Sequence, residues 1–189
     1  MPLRYIFKHV NKLHVLSANP VQLTHSLMQL TRHTDYALRV LIHLAVTPTG
    51  RATIPEVADA YALSRNHLMK VVHHLGQGGF ILTQRGRGGG FTLARDPEAI
   101  KLGDVIRHTE TDMNLADCAN CSLRAACGLS GILKAATTAF LAVLDQHSLA
   151  DAAKDRTGLA ALIAALPGAV SPVSDACAPS SSNAVPRLD

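Results

Sequence analysis

Thr53-Ile54-Pro55-Glu56-Val57-Ala58-Asp59-Ala60-Tyr61-Ala62-Leu63-Ser64-Arg65-Asn66-His67-Leu68-Met69-Lys70-Val71-Val72-His73-His74-Leu75-Gly76-Gln77 is the stretch that decides the fold. Pro55 suits the first turn of a helix, where its missing N–H has no partner to lose. Ala62-Leu63 makes a tight turn, and Ser64 is placed to cap a second helix running to about Gln77. On that helix Leu68, Val71, Val72 and Leu75 form one apolar stripe. Arg65, Asn66, His67, Lys70 and His74 are left free to face outward. Two short helices, a small turn and a polar, basic start to the second describe a helix-turn-helix whose second helix reads DNA.

Working outward, Ala37, Val40, Leu41, Leu44 and Ala45 recur at the spacing that keeps one helical face buried. Thr31 or Thr34 caps the start of that helix, and Thr47-Pro48-Thr49-Gly50 ends it. Asp35 reads as a first-turn acid that complements the helix dipole and pairs with Arg39 four positions on. Downstream, Gly78-Gly79 stops the reading helix. Phe80 to Arg85 and Phe91 to Leu93 then read as two strands around Gly86-Arg87-Gly88-Gly89-Gly90, the wing of a winged helix. Its glycines let backbone approach a phosphate or enter a narrow minor groove, with charge from Arg85 and Arg87. A nucleotide-binding glycine loop fits poorly, because no Lys-Ser/Thr follows and the next residues are strand-like. A plain flexible turn is the other alternative, and the neighbouring reading helix argues against it. The candidate DNA-contacting set is therefore Ser64, Arg65, Asn66, His67, Lys70, Arg85, Arg87 and Gly88.

Leu102 to Thr109 forms a short helix that leads into Asp117 to Gly128. That loop holds three of the four cysteines as Cys118-x2-Cys121-x5-Cys127. Thiolates suit zinc or an iron–sulfur cluster, and three of them leave one position for another ligand. After the loop, Leu129, Ile132, Leu133, Ala136, Ala139, Phe140 and Val143 make a long apolar seam, with Ala135, Ala136 and Ala139 allowing close approach of a second helix. The seam could be plain core. The helix-turn-helix already uses its own stripes internally, so a two-fold dimer interface is favoured.

The predicted class is mainly α with a small β-hairpin wing, a winged helix-turn-helix plus a long dimerisation helix. The expected organisation is an extension (1–27), the winged helix (28–98), a connecting helix with the cysteine loop (99–128), a dimerisation helix and C-terminal helix (129–166), and a tail (167–189). Arg4, Lys8 and Lys12 in the extension are interleaved with Tyr5, Ile6, Phe7 and Leu13, and no acid precedes Asp35. It reads as a basic helix, a targeting segment, or an extension ahead of a second start at Met28. The Pro/Ser/Ala composition from Pro167 onward reads as disordered, with Cys177 a bystander.

Composition bounds the function. With 189 residues, 48% hydrophobic and 17% charged, the chain can bury a core, and its net charge of +4 permits a polyanionic partner. No apolar run reaches the ~20 residues of a membrane span. Clustered cysteines without a signal peptide point to the cytoplasm and to metal rather than disulfides. The histidines and carboxylates form no nucleophile–base constellation, and the adjacent His73-His74 face different ways on a helix, so an enzyme is disfavoured.

Met28-Gln29-Leu30-Thr31-x-x-Thr34-Asp35-Tyr36-x-Leu38-Arg39 is similar to the start of the nitric-oxide-sensitive repressors. Ser64-Arg65-Asn66-His67, the glycine-rich wing, Ile100-x-Leu102-Gly103-Asp104-Val105 and the three-cysteine loop share that similarity. These repressors belong to an iron–sulfur winged-helix regulator family that includes the regulators of iron–sulfur cluster assembly. The resemblance covers about Met28 to Ala153. It implies a homodimeric repressor of a pseudo-palindromic double-stranded DNA operator, with one iron–sulfur cluster per subunit, 2Fe–2S or 4Fe–4S, and nitric oxide as the signal that ends DNA binding. Cys118, Cys121 and Cys127 would be ligands, with Asp35 of the other subunit the fourth. The assembly regulators instead use a histidine just after the third cysteine, where this chain has Gly128-Leu129-Ser130; His108 and His147 are the other candidates. The Cys118-x2-Cys121 gap is shorter than the family forms, which leaves cluster type open. The alternatives are a regulator of cluster assembly, or a zinc or thiol-redox regulator on the same fold, since Cys-x2-Cys also fits zinc.

Overall fold

Thr31 opens the first helix, α1 (Arg32–Val46), by accepting the N–H of Thr34 on its hydroxyl, as a side-chain cap should. The computed structural model describes residues 29–86 and 88–166. The readings made for residues 1–27, for Arg87 and for the tail from Pro167, Cys177 included, fall outside the described residues.

A two-residue strand, β1 (Arg51–Ala52), precedes α2 (Ile54–Ala60). Thr53 and Glu56 close a reciprocal capping box at the start of α2, with Pro55 in its first turn. Ala62 takes a left-handed turn conformation (φ 52°), and the Leu63 N–H reaches back to the Ala58 carbonyl at 2.8 Å. The reading helix α3 (Arg65–Gln77) follows, and its buried residues are the expected Leu68, Val71, Val72 and Leu75. Ser64 occupies the N-cap position but makes no side-chain capping bond, so the cap expected there is not formed, and the residue is exposed at the end of the helix.

The wing strands are β2 (Ile81–Gln84) and β3 (Gly90–Leu93), paired antiparallel from Ile81↔Leu93 to Gln84↔Gly90. β1 pairs with the other edge of β3, giving a three-stranded sheet of order β1-β3-β2 where a two-stranded hairpin was expected. Gly90 makes this approach possible: a Cβ there would lie 2.6 Å from the Ala52 carbonyl oxygen, and its φ is 151°.

A short 3-10 turn (Pro97–Ala99) leads to α4 (Leu102–Thr109), and the long α5 (Leu129–Gln146) follows the cysteine loop. Two short helices, α6 (Leu149–Ala152) and α7 (Arg156–Ala164), then turn back. The Leu149 N–H to Ile100 carbonyl bond (2.8 Å) and the Leu102 N–H to His147 carbonyl bond (3.0 Å) tie this return to the segment before α4.

The core is centred on α1. Ala37, Val40, Leu41 and Leu44 meet Leu68, Val71 and Leu75 of α3, Phe80, Ile81 and Phe91 of the sheet region, and Val105 of α4. Leu149 closes that core, and Leu159 and Ile163 of α7 pack against it. Each fully buried Leu or Val contributes roughly 1.5–3 kcal/mol relative to exposure. α5 differs in kind: none of its residues is buried, and Ile132 (66%) and Phe140 (40%) are exposed.

Candidate nucleic-acid interface and cysteine loop

The first turns of α3 present Ser64, Arg65, Asn66 and Lys70 to solvent. Met69 is 51% exposed on the same turns, an apolar member that a search for charge passes over. The Arg65 guanidinium donates to both oxygens of Asp59 at 3.2 Å. An exposed pair of this kind contributes about 1 kcal/mol or less, so it orients the arginine without locking it.

Two histidines of α3 lie differently from the outward placement expected. His67 is half-buried, its ring edge-on to Tyr36 with centroids 5.1 Å apart. His74 turns inward between α1 and α4, and its Nδ1 hydrogen-bonds His33 Nε2 at 2.8 Å. Burial, then the neighbouring His108, His33 and His73, lower the His74 pKa. His33 is lowered too, first by burial and next by His67 and His108, against an opposing pull from Glu110. The polarity of these residues suggested solvent; the proximity of other imidazoles is a tertiary fact.

In the wing, Gly86 (φ 97°) and Gly88 (φ 75°) take conformations open to glycine, and Arg85 is exposed. Arg51 was missed by the sequence reading. One of its guanidinium nitrogens donates to the Gly88 carbonyl and the other to Gln84 Oε1 at 2.8 Å, bracing the wing from β1. Before folding nothing distinguishes Arg51 from a connector residue.

Cys118 and Cys127 are half-buried and Cys121 is exposed, all three as free thiols. Their loop is joined at one end to α4 and at the other to α5. Among the described residues, the hydrogen bonds of 115–127 all close within that stretch. Asn120 donates to the Asp117 carboxylate, the Cys118 N–H bonds Ala116, and the Arg124 N–H bonds Cys121. A cavity of about 460 Å³ beside Cys118 is lined by Met113, Leu115, Leu133 and Leu141. Among the described residues no three His, Cys, Asp or Glu side chains are drawn together as a metal site, so the structure does not bring the thiols into one ligand set. Asp35 sits in the first turn of α1 and binds Arg39 at 2.9 Å, with 44% of its side chain exposed. His108, one of the other ligand candidates, is half-buried and hydrogen-bonds the His74 carbonyl at 2.7 Å.

A reading helix beside a braced wing, continued into a cysteine-bearing loop, defines a winged-helix DNA-binding transcriptional regulator. Residues 30–155 match the Rrf2 family, described as iron-dependent transcriptional regulators, and the chain belongs to that family. It is 46% identical over 142 residues to the HTH-type transcriptional regulator NsrR of Bacillus subtilis, covering 72% of this chain and 97% of that protein. It is 49% identical over 130 residues to the NsrR of Bacillus licheniformis, covering 66% and 91%. Among solved structures it is similar to a transcriptional regulator from Listeria innocua (TM-score 0.57, 28% identity, 67% of this chain and 86% of that one). It is similar also to T. potens IscR (TM-score 0.56, 26% identity, 69% and 89%). No described helix is long and apolar enough to cross a membrane.

Proposed function

We propose that the chain is a homodimeric repressor that carries an iron–sulfur cluster on Cys118, Cys121 and Cys127 and leaves its operator in response to nitric oxide. The observation that carries this reading is the position of the free-thiol loop. It joins α4, which packs into the reading head through Val105, to α5, whose apolar residues lie exposed. A change in the loop therefore bears on both the reading head and the helix suited to pairing.

The donor set fits the group. Three free thiols lie close in sequence on a stretch tied down only by its own short hydrogen bonds, so it can wrap a soft metal centre. The partner's Asp35 would complete the set. The Asp35–Arg39 pair is exposed and weak, so the carboxylate is cheaply released for that role. When bound, the cluster supplies iron at which nitric oxide reacts; that signal rests on the resemblance to the nitric-oxide-sensitive repressors.

In the dimer, Leu129, Ile132, Phe140 and Val143 would cover one another across a two-fold axis. The two α3 helices would then enter successive major grooves about 34 Å apart. Arg65, Asn66 and Lys70 face the groove there, Met69 offers an apolar contact to a thymine methyl, and Arg85 with the Gly88 backbone approaches the phosphates. His67, tucked against Tyr36, buttresses the helix from behind. Without the ligand bonds residues 115–127 keep only local hydrogen bonds. Helices α4 and α5 stay joined by the Arg107–Asp145 ion pair and by the Leu102 N–H to His147 carbonyl bond, so the loop would loosen and the two helices would move together.

Anaerobic purification with iron, sulfide and zinc analysis, followed by DNA titration before and after nitric oxide, tests the reading. Iron with acid-labile sulfide and a nitric-oxide-dependent loss of specific binding are expected. A colourless zinc protein would establish the zinc alternative, and equal affinity for all DNA sequences would refute a repressor.

A further inference from the structure

We propose that His108 is the C-terminal cap of the reading helix and the positioning residue through which α4, the helix that enters the cysteine loop, sets α3 on DNA. The end of a helix is held by the bonds made to its last carbonyls, each of which has two lone pairs, and a second donor brought to one of them from another element fixes that end. His108 Nε2 lies 2.7 Å from the His74 carbonyl oxygen. A carbonyl only accepts, so Nε2 carries the proton. The same carbonyl also accepts the Gly78 N–H at 3.1 Å, the bond that closes the helix.

The residue at the helix end is shaped for this ring. Gly78 has φ −77° and ψ −2°, a helical conformation open to any residue, so its backbone does not call for glycine. A Cβ at Gly78 would lie 2.7 Å from His108 Nε2, 2.8 Å from its Cδ2 and 2.7 Å from Phe80 Cε2. The missing side chain is the space into which the imidazole and Phe80 fit. The His108 ring also lies against His74 with centroids 4.2 Å apart and the planes tilted by 36°, and lies 5.5 Å from Phe80. His74 in turn bonds His33 of α1.

α4 is itself held beside this contact. The buried Thr34 hydroxyl of α1 donates to Thr109 Oγ1 at 2.9 Å, and Thr109 donates to the Val105 carbonyl. Consecutive residues at the end of α4 thus grip the reading helix and α1, immediately ahead of the loop. This coupling rests on the functional reading above; the cap does not.

Two measurements on the full chain test the two halves. For the cap, Gly78→Ala is made in the parent and in a His108→Ala background, and thermal unfolding is followed. The destabilisation by Gly78→Ala should shrink once the ring is gone; strictly additive effects would overturn the cap. For the coupling, binding is measured to a duplex selected from a random-sequence library by the cluster-loaded parent. His108→Ala should keep the cluster absorbance yet bring the affinities before and after nitric oxide within about threefold of each other, with His108→Gln, which keeps a donor, restoring part of the gap. Loss of the absorbance in His108→Ala would make His108 a ligand and overturn the coupling. A gap in His108→Ala as wide as in the parent would overturn the coupling. A parent that shows no gap at all would refute the functional reading and the coupling together, while the unfolding of the double variant would still decide the cap by itself.

Discussion

The reading head and the arm formed by the cysteine loop and α5 are built on opposite principles. In the head, α1, α3, the sheet and α4 share a core in which Val40, Leu41, Leu68, Val71, Leu75 and Val105 are wholly buried. In the arm, Leu123 (68%), Ile132 and Val143 are exposed and no residue of α5 is buried. Chain entropy opposes folding everywhere at about 1–2 kcal/mol per residue; full burial offsets it in the head, whereas α5 rests on α4 through half-buried residues such as Leu141 and Leu144 and the Arg107–Asp145 pair. In the proposed function, ligand bonds to the thiols and a second copy against the seam would supply what the arm lacks. That division would suit the proposed sensor, since the part that reads DNA would stay folded while the order of the arm would depend on the signal.

The widest test of this contrast sets Leu41→Ala against Ile132→Ala. Leu41 is fully buried, and its truncation is expected to cost about 2–5 kcal/mol and lower the thermal midpoint sharply. Ile132→Ala should change unfolding of the isolated protomer by less than about 0.5 kcal/mol, as exposed sites do, yet weaken self-association in sedimentation. Equal losses of stability from both would mean that the Ile132 face of α5 is packed within the protomer and the contrast is false.

Next in size is Cys121→Ala. Visible absorbance of anaerobically purified protein should vanish and specific DNA affinity fall about a hundredfold, toward nonspecific binding. The far-ultraviolet spectrum and the unfolding of the head should stay as in the parent. Retained colour would remove Cys121 from the ligand set. Loss of the head's cooperative melt would show that the two regions are not separable.

How far each region was readable from sequence follows the same line. The α3 stripe, Pro55 in the first turn of α2, a threonine cap on α1 (Thr31 or Thr34, of which Thr31 serves) and the bounds of α4 follow from local periodicity and capping chemistry, which act over a few residues. β1 escaped because Arg51–Ala52 is too short to show an alternating pattern; it is a strand only because Gly90 lets β3 come alongside. The inward turn of His74 and the bracing role of Arg51 escaped for a like reason: each depends on a partner more than thirty positions away. In the arm the cysteine spacing is visible at once, but the arrangement of the thiols is not, since a loop with only local bonds carries no packing pattern to read.

Arg65→Ala sharpens the contrast from the side of the head. Losing the exposed pair with Asp59 should leave stability almost unchanged. Specific DNA binding should weaken by about 1–3 kcal/mol if the guanidinium reads a base, and the cluster absorbance should not move. Uniform weakening across sequences with a shallower salt dependence would instead make it a phosphate contact.

The smallest effect expected is a pH dependence confined to the head. His43 is buried at 8% exposure against the Tyr61 ring, and its Nδ1 has no hydrogen-bond partner among the described residues. Burial lowers its pKa from the ordinary 6.5, against a weaker opposing pull from Glu56; His74 is lowered as well. As pH falls below 6.5, the unfolded chain takes up protons on these rings before the folded one does. The unfolded state then binds more protons, so stability is full above that pH and declines as pH drops through the window down to the folded-state values. The thermal midpoint should be flat from about pH 7 to 8 and fall by a few degrees toward pH 5.5. His43→Leu should flatten part of that fall, because an apolar side chain of similar reach has no proton to take up. A midpoint that rises on acidification, or a slope unchanged in His43→Leu, would show that the buried imidazole does not limit the head and that the acid response lies in the arm.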